Sequence, residues 1–263
     1  MTTTIERTIM SVLNRFRLDD RVAIVTGASS GLGVAFATAL AEAGAHVALG
    51  ARRADRLADS QKLVEDTGRR AIAVRTDVTR PEDCQALADA AMREFGRVDI
   101  LVNNAGIGTA VPALKETTEQ FRSVIDVNLN ACYWMAQACG RIMQPGSSII
   151  NISSVLGLTT AGLPQAAYAA SKAGVIGLTR DLAQQWTGRR GIRVNAIAPG
   201  FFASEMTDQY DADYVNQQIL PRTLAGRLGE HEEIAAAVVF LAGDASSYIT
   251  GITVPVEGGL LTS

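Results

Sequence analysis

The 263-residue sequence predicts one α/β domain, built on a doubly wound parallel sheet of seven strands with helices on both faces. Short β-branched apolar runs alternate with helical segments, a glycine-rich turn follows the first run, and no repeat or Pro/Gly-rich linker divides the pattern. Because ligands bind beyond the carboxyl ends of the strands in such sheets, the residues that follow each apolar run are the candidate functional residues.

Seven apolar runs predict the strands of this Rossmann-type sheet. In chain order they are RVAIVTG, AHVALGA, RAIAVRTD, VDILVNNAG, GSSIINISS, GIRVNAIAPG and ITGITVPVEGG. Helices are predicted in GVAFATALAEAG, ADRLADSQKLVEDTG and TRPEDCQALADAAMREFG, and from about 117 to 140, 165 to 187 and 230 to 241. Gly68 is expected to end the second helix. In the third, Thr79 is the expected N-cap, Pro81 lies in the first turn and Gly96 ends the helix.

The composition is that of an ordinary globular domain, with 48% hydrophobic residues, 19% charged residues and a formal net charge of −3. Nothing in this charge suggests a nucleic acid partner, and no apolar run approaches the length of about 20 residues that spans a membrane. Cys84, Cys132 and Cys139 show no CxxC spacing and are expected to be buried thiols in a reducing compartment, consistent with the expected cytoplasmic location. His46 and His231 have no neighbours at ligand spacing, so no metal site is expected.

Residues 1–20 are expected to form an N-terminal extension and residues 21–263 the α/β domain that carries the candidate functional residues. The extension carries apolar residues at helical spacing, with arginines between them: Ile5, Ile9, Val12, Leu13 and Phe16. An organelle transit peptide would share that pattern, but Glu6, Asp19 and Asp20 argue against one. The extension is expected to lie on the domain or on a neighbouring subunit.

The turn VTGASSGLG joins the first strand to the first helix. Glycines allow the backbone to lie against a pyrophosphate, and the following helix N-terminus offers it free N–H groups. The spacing matches neither GxGxxG nor the Walker pattern, so a tight turn without a ligand stays open as an alternative. The position in the first βα unit favours a bound nucleotide, and the predicted contacts are Gly27, Ser29, Ser30, Gly31, Leu32 and Gly33.

The end of the second strand indicates which nucleotide is bound. An acidic residue about 20 positions after the turn binds the ribose of NAD, whereas arginine suits the 2′-phosphate of NADP. Here Ala51 is followed by Arg52 and Arg53, while Asp55 comes too late and is expected to start the second helix. NADP(H) is therefore the expected cofactor, with Arg52 as the main contact. NAD(H) stays open, since both arginines are also ordinary solvated residues at a helix start.

Along nearly all of its length after residue 20, the sequence resembles the short-chain dehydrogenase/reductase family. The resemblance rests on TGASSGLG (26–33), DV (77–78), NNAG (103–106), Asn128 in VNL, NISS (151–154), YAASK (168–172) and PG (199–200), all in the expected order. It implies hydride transfer between a nicotinamide cofactor and a small-molecule carbonyl or secondary alcohol.

The resemblance also implies further cofactor contacts. Asp77 and Val78 are expected to border the adenine ring, and Pro199 and Gly200 the nicotinamide. Asn104 is expected along the adenosine side, although hydrogen bonds that stabilise the central strand are an equally good explanation for it. The remaining expected contacts are Ala105, Gly106, Ile152, Tyr168, Lys172, Phe202 and Ser204.

Tyr168 is the implied catalytic acid/base, with Lys172 as its activator, Ser154 as the group that holds the substrate oxygen and Asn128 in a proton relay. Residues four apart share one helix face, so Lys172 reaches Tyr168. The ammonium, together with oxidised nicotinamide, is expected to lower the phenol pKa from about 10. Ser154 is preferred over Ser153 because neighbours along a strand point to opposite faces. It precedes Tyr168 by fourteen residues, one more than is usual in the family, so the loop between them is expected to hold an extra residue.

The substrate is less defined. A lid is expected at about 201–220, and the expected substrate contacts are Ser154, Leu156, Leu163, Tyr168, Phe201 and Met206, although core packing explains the apolar ones equally well. The resemblance favours a 3-oxoacyl (carrier protein or CoA) reductase, with a sugar or polyol dehydrogenase as the alternative. The stretch RIMQPGSS offers only Arg141 to an acidic carrier protein. A non-catalytic NADP sensor or a methyltransferase would not need both Tyr168 and Lys172. A homotetramer, or a dimer, is expected from the resemblance.

Overall fold

A computed structural model describes residues 11–203 and 212–262 of the chain. Its strands are β1 (Val22–Thr26), β2 (His46–Ala51), β3 (Ala71–Arg75), β4 (Ile100–Asn103), β5 (Ser148–Ile152), β6 (Arg193–Pro199) and β7 (Thr253–Val256). They form one sheet in the order β3-β2-β1-β4-β5-β6-β7, and every neighbouring pair is parallel. The predicted fold class is confirmed. The strand order reverses between β1 and β4, which is where such sheets bind ligands.

The helices are α1 (Gly31–Glu42), α2 (Ala54–Glu65), α3 (Pro81–Phe95), α4 (Thr118–Ile125), α5 (Ala131–Ile142), α6 (Ala166–Arg190), α7 (Ala212–Tyr214) and α8 (His231–Ala242). The single helix predicted from about 117 to 140 is divided, because a π-helical stretch at Asp126–Asn130 joins α4 to α5. Thr117 begins α4 with a capping box that it shares with Gln120.

The expected N-cap of α3 is wrong. Arg80 occupies that position and makes no side-chain cap, while the hydroxyl of Thr79 donates instead to Asp77 Oδ1 at 2.7 Å. Pro81 does lie in the first turn, and Gly96 ends α3 in the left-handed region, as predicted. The second helix, α2, ends at Glu65, before the expected Gly68.

Alternation along the strands builds a core on each face of the sheet. Ala23 and Val25 of β1 face α1, α2 and α8, whereas Ile24 between them faces α3, α5 and α6. The large buried side chains on the first side include Phe36, Leu40, Leu57, Ile234 and Leu241, and those on the second include Leu87, Leu101, Met135, Ile149 and Leu182. Packing in these two layers fixes the positions of the carboxyl ends of the strands. It therefore also fixes the positions of the residues that follow them.

The three cysteines are free and buried in the core on the side of α3 and α5. Burial in apolar surroundings raises the pKa of Cys84 to about 12 and that of Cys132 to about 11. At neutral pH these thiols are therefore protonated packing residues.

The described part of the N-terminal segment lies against the domain. Val12–Phe16 form a 3₁₀ turn, the Phe16 ring lies 5.9 Å from that of Phe240 on α8, and Leu18 is fully buried. A Cβ on Gly243 would lie 2.7 Å from the carbonyl oxygen of Arg15, so the two chain segments pack without a side chain between them. Residues 1–10, including Ile5, Glu6 and Ile9, fall outside the described residues.

Candidate active site

A cavity of about 520 Å³ opens at the carboxyl ends of the strands. Every predicted cofactor contact among the described residues lines it. Ser204 and Met206 fall outside the described residues. Several further positions that the sequence did not single out also line the cavity: Ala51, Thr76, Ile107, Gly108, Val127 and Ser153. Ala51, Thr76 and Ser153 lie at or directly after a strand end, so the rule that ligands bind at strand ends could have found these three.

The glycine-rich turn has no room for side chains. A Cβ on Gly33 would lie 2.3 Å from the carbonyl oxygen of Gly27, and one on Gly27 would lie 2.8 Å from Ala105 Cα. Ser30, the N-cap of α1, makes no side-chain capping hydrogen bond, so its hydroxyl leaves the first-turn N–H groups of the helix uncapped. Bare backbone beside an uncapped helix N-terminus fits a pyrophosphate.

Asn104 ties the end of β4 to this turn. Its backbone N–H donates to Thr26 Oγ1 at 3.0 Å, and its side-chain Nδ2 donates to the Thr26 carbonyl at 3.0 Å. The N–H of Ala105 donates to the same Thr26 hydroxyl at 3.1 Å. The structural explanation for Asn104 therefore holds, and it is compatible with a place in the cavity wall.

Two exposed arginines follow β2 at the edge of the cavity. The guanidinium of Arg53 donates to Ser29 Oγ at 3.3 Å and to Ser30 Oγ at 2.6 Å, which directs it toward the glycine-rich turn. Arg52 lines the same part of the cavity.

Asp77 supplies a carboxylate to the lining of the same cavity. Its pKa is lowered mainly because the Thr79 hydroxyl donates to it, with a further contribution from the nearby Arg52. Asp77 is therefore ionised at neutral pH, and the charge of Arg52 faces it.

Tyr168 and Lys172 share one face of α6, as their spacing predicts. The ammonium nitrogen of Lys172 lies 5.6 Å from the centre of the Tyr168 ring and donates to the carbonyl of Ile152 at 2.8 Å. Tyr168 is hydrogen-bonded to Ser154, whereas the Ser153 hydroxyl donates to the Lys172 carbonyl at 2.8 Å. The structure thus brings Ser154, and not Ser153, to the phenol.

The expected direction of the Tyr168 pKa is wrong for the protein by itself. Burial raises the pKa of Tyr168, and the hydrogen bond from Ser154 offsets this only in part. Burial also lowers the pKa of Lys172, whose side chain is almost completely enclosed. Sequence spacing predicts that the two side chains lie close together, but it does not predict how far the fold removes each of them from solvent.

Asn128 lies behind the cavity wall and does not line it. The residue is fully buried in the π-helical stretch, and its side chain pairs with both backbone groups of Ile107, at 2.8 and 2.9 Å. Its Nδ2 also donates to Ser171 Oγ at 3.1 Å. A Cβ on Gly106 would lie 3.3 Å from Asn128 Oδ1 and 3.5 Å from Lys172 Nζ, so the amide and the ammonium both lie close to the face of Gly106 that carries no side chain.

Three predicted substrate contacts do not line the large cavity. Leu156 and Phe201 belong to a separate apolar cluster with Ile219 and Leu260, and half-buried Leu163 lies outside the cavity wall. Tyr168 packs against this same cluster, so the substrate contacts of Leu156 and Phe201 stay predictions. Phe201 also lines a smaller cavity of about 190 Å³.

The described part of the expected lid packs on the 155–161 loop. The Tyr214 hydroxyl donates to the Ala161 carbonyl at 2.8 Å, and Arg222 donates to the Thr160 carbonyl at 3.1 Å. Residues 204–211 of that segment fall outside the described residues.

Within residues 11–203 and 212–262, no three His, Cys, Asp or Glu side chains are grouped so that they could hold a metal ion. Over the same ranges, no helix is both long and apolar enough to cross a bilayer.

A family model described as enoyl-(acyl carrier protein) reductase matches residues 27–261. The chain belongs to the short-chain dehydrogenase/reductase family. It is 39% identical over 257 residues to 2-dehydro-3-deoxy-D-gluconate 5-dehydrogenase of Escherichia coli K12, an alignment that covers 95% of this chain and 99% of the relative. It is 40% identical over 245 residues to 3-oxoacyl-[acyl-carrier-protein] reductase FabG of Vibrio cholerae, covering 92% and 98%.

A solved member of the short-chain dehydrogenase/reductase family has a bound dinucleotide. This crystal structure, from Agrobacterium tumefaciens, is described as a candidate 2-deoxy-D-gluconate 3-dehydrogenase with bound NADP. It matches with a TM-score of 0.85 at 38% identity and covers 95% of this chain and 100% of that chain. Membership in the short-chain dehydrogenase/reductase family confirms that this chain is an oxidoreductase acting on CH–OH or keto groups.

Proposed function

We propose that the protein interconverts a carbonyl and a secondary alcohol with NADP(H), using Tyr168 as the acid/base. The observation that carries this proposal is the meeting of Ser154, Tyr168 and Lys172 at a cavity whose other end is bare glycine backbone. A non-catalytic sensor would need the glycine-rich end alone.

Bound NADPH supplies the hydride. The glycine-rich turn and the N-terminus of α1 would hold its pyrophosphate, and Arg52 and Arg53 would hold the 2′-phosphate. Two guanidinium groups at the end of β2 support this preference, because a 2′-phosphate needs positive charge where the ribose of NAD needs a carboxylate. NAD(H) is the alternative that the same cavity would accept if Arg52 and Arg53 contribute little.

In reduction, Tyr168 donates its phenolic proton to the oxygen on which negative charge develops. Ser154 holds that oxygen with a hydrogen bond and carries no charge of its own. The ammonium of Lys172, fixed by the Ile152 carbonyl, stabilises the phenolate that remains. In the opposite direction, the phenolate takes the proton of the alcohol.

Asn128 contributes through position. With its amide occupied by Ile107 and Ser171, it fixes the segment at Gly106 that lies next to Lys172. We propose that this places the ammonium and that Asn128 supports the predicted proton relay by holding this segment, without itself gaining or losing a proton.

A free, polar hydroxy or keto compound of the sugar-acid class is the substrate that the observations favour. On the surface before β5, exposed Arg141 donates to Gln137 at 3.1 Å, so it is not held ready for an acidic carrier protein. The relative from Escherichia coli acts, by its name, on a keto sugar acid.

A 3-oxoacyl thioester is the second candidate, because the relative from Vibrio cholerae is 40% identical and acts, by its name, on a carrier-bound 3-oxoacyl group. The test is to mix the purified protein and NADPH with either 5-keto-D-gluconate or acetoacetyl-CoA and to follow the loss of reduced nicotinamide. A kcat/KM at least tenfold higher for the keto acid supports the first proposal, and the reverse ratio supports the second. Tight NADPH binding with no turnover of any ketone would instead support a sensor.

We further propose a cytoplasmic homotetramer, with a dimer as the alternative. Large apolar side chains are exposed on α4 and α5, at Phe121 and Tyr133, and near β7, at Tyr248 and Ile252. Exposed apolar residues on separate faces suit more than one interface between copies. Light scattering coupled to size-exclusion chromatography measures the mass directly, and a monomer would contradict the proposal.

A further inference from the structure

Two short segments run side by side near the end of the cavity. The N–H of Gly229 donates to the carbonyl of Phe201 at 3.0 Å, and Gly229 forms an isolated parallel bridge with Phe202. Two residues further along both segments, Nε2 of His231 lies 2.5 Å from the carbonyl oxygen of Ala203. The 229–231 segment therefore holds residues 201–203 from one side.

Gly229 is required for this contact because of the Phe202 ring. A Cβ on Gly229 would lie 2.3 Å from Phe202 Cε1 and 2.7 Å from Cδ1 and Cζ. The Phe202 side chain is almost completely buried and lines both the large cavity and the smaller one. The ring thus forms part of the wall between the two cavities. A side chain at position 229 would clash with the ring and displace it.

His231 completes the contact from the first residue of α8. A carbonyl oxygen only accepts, so Nε2 must carry the proton and donate to Ala203. The charged neighbours on this turn have other partners: Arg227 is paired with both carboxylate oxygens of Glu233, which also accepts from the N–H of Glu230.

We infer that Gly229 and His231 position Phe202 in the wall of the dinucleotide cavity, so that His231 is a positioning residue for cofactor binding although it does not line the cavity. This inference rests on the proposed function, because it assumes that the cavity holds NADP(H). It predicts that His231 affects affinity for the dinucleotide through its donated hydrogen bond, and not through charge.

The first experiment measures NADPH dissociation constants by the change in nicotinamide fluorescence, together with Tm. His231→Ala should raise the Kd about fivefold, the scale of one lost hydrogen bond. His231→Gln should stay within about twofold of the parent, because the glutamine Nε2 can take the place of the histidine Nε2 and donate to Ala203. Glu232→Ala, on the next and exposed residue of α8, is the matched control and should leave the Kd unchanged.

The second experiment tests the ring. Gly229→Ala should raise the NADPH Kd at least tenfold in the parent, but less than about twofold when Phe202→Ala has already removed the ring that the new methyl group would meet. Equal effects in both backgrounds would overturn the role of Gly229.

The outcomes separate this inference from the proposed function. If the parent protein binds neither NADPH nor NADH, the proposed function fails. If the parent binds but His231→Ala binds equally well, the inference fails alone. If His231→Ala and His231→Gln weaken binding equally and both lower Tm, the residue has only a structural role and the inference is again overturned.

Discussion

The ammonium nitrogen of Lys172 lies 5.6 Å from the centre of the Tyr168 ring, and the carbonyl of Ile152 holds it there. This distance is within the range of a cation–π contact. Lys172 is almost completely buried and Tyr168 is half-buried at the cavity wall, so the charge of the ammonium acts on the phenol at short range. Because burial opposes ionisation of the phenol and protonation of the amine alike, the resting pair favours a protonated Tyr168.

Tyr168→Phe removes the proton donor and leaves the ring. We expect kcat to fall by about 10³-fold, within the range for loss of general acid catalysis, while the NADPH Kd changes less than about threefold. Tyr133→Phe is the control, since Tyr133 is exposed on α5 and its hydroxyl only accepts from Gln137. Near-normal kcat in Tyr168→Phe would show that another group carries the proton.

The raised pKa of Tyr168 predicts opposite pH profiles for the two directions. A phenol with a pKa above its usual value of about 10 stays protonated across the neutral range. Reduction should therefore have a kcat independent of pH from about 6 to 9, whereas oxidation should rise about tenfold per pH unit there, because it needs the phenolate.

Stopped-flow turnover under saturating cofactor measures both profiles. An oxidation rate that levels off below about pH 8 would show that bound oxidised nicotinamide lowers the Tyr168 pKa below its value in the protein alone.

Arg52→Asp places a carboxylate where the 2′-phosphate is proposed to lie. The ratio of kcat/KM for NADPH to that for NADH should fall at least tenfold, because the acid repels the phosphate and can accept from the ribose hydroxyls. Arg56→Asp makes the same charge change on α2 but does not line the cavity, so it corrects for the net charge. If the ratio is unchanged in Arg52→Asp, Arg52 does not bind the 2′-phosphate. Either Arg53 alone would then bind it, or the protein would have no NADP preference.

The sequence alone predicts the parallel sheet and the residues that lie at the carboxyl ends of its strands. Alternating strands and helices predict parallel pairing, and parallel pairing brings Gly27, Arg52, Asn104, Ser154 and Pro199 to one edge. Contacts of this kind follow from strand register, which hydrophobic patterning specifies.

The features that the sequence did not predict depend on contacts between segments that are distant along the chain. Leu156 shares an apolar cluster with Ile219, against which Tyr168 also packs, and no local pattern predicts this long-range contact. The direction of the Tyr168 pKa depends on burial by several elements together. The Thr79 hydroxyl donates to Asp77 and does not cap α3. A threonine at this position can bond either to a nearby carboxylate or to the backbone of the helix, and the sequence alone does not predict which bond forms.

Gly33→Ala tests the glycine-rich turn by sterics alone. The added Cβ would lie 2.3 Å from the Gly27 carbonyl oxygen, so the turn must move away from α1 and the proposed pyrophosphate site is lost. We expect the NADPH Kd to rise at least about 30-fold, measured by titration calorimetry.

Gly177→Ala is the matched control for this substitution. Gly177 lies inside α6 with open space around it, so alanine there should stabilise the fold by about 0.5–1 kcal/mol and leave the NADPH Kd unchanged. Equal Kd values for the two variants would contradict a close fit of the turn to the dinucleotide.

Asn128→Ala distinguishes a role of Asn128 in the stability of the fold from a role in the reaction. The substitution leaves the part-buried N–H and carbonyl of Ile107 without this partner, and each unpaired group costs about 1–3 kcal/mol. The free energy of unfolding should fall by about 2–4 kcal/mol, measured by urea denaturation. Asn130→Ala is the control: the amide of Asn130 donates to Asp126 at an exposed site, so its loss should lower the free energy of unfolding by less than about 0.5 kcal/mol.

Because the segment at Gly106 also adjoins Lys172, kcat of the folded Asn128→Ala fraction should fall more than its NADPH Kd rises. A large loss of stability with unchanged kcat would confine Asn128 to a structural role and remove it from the predicted proton relay.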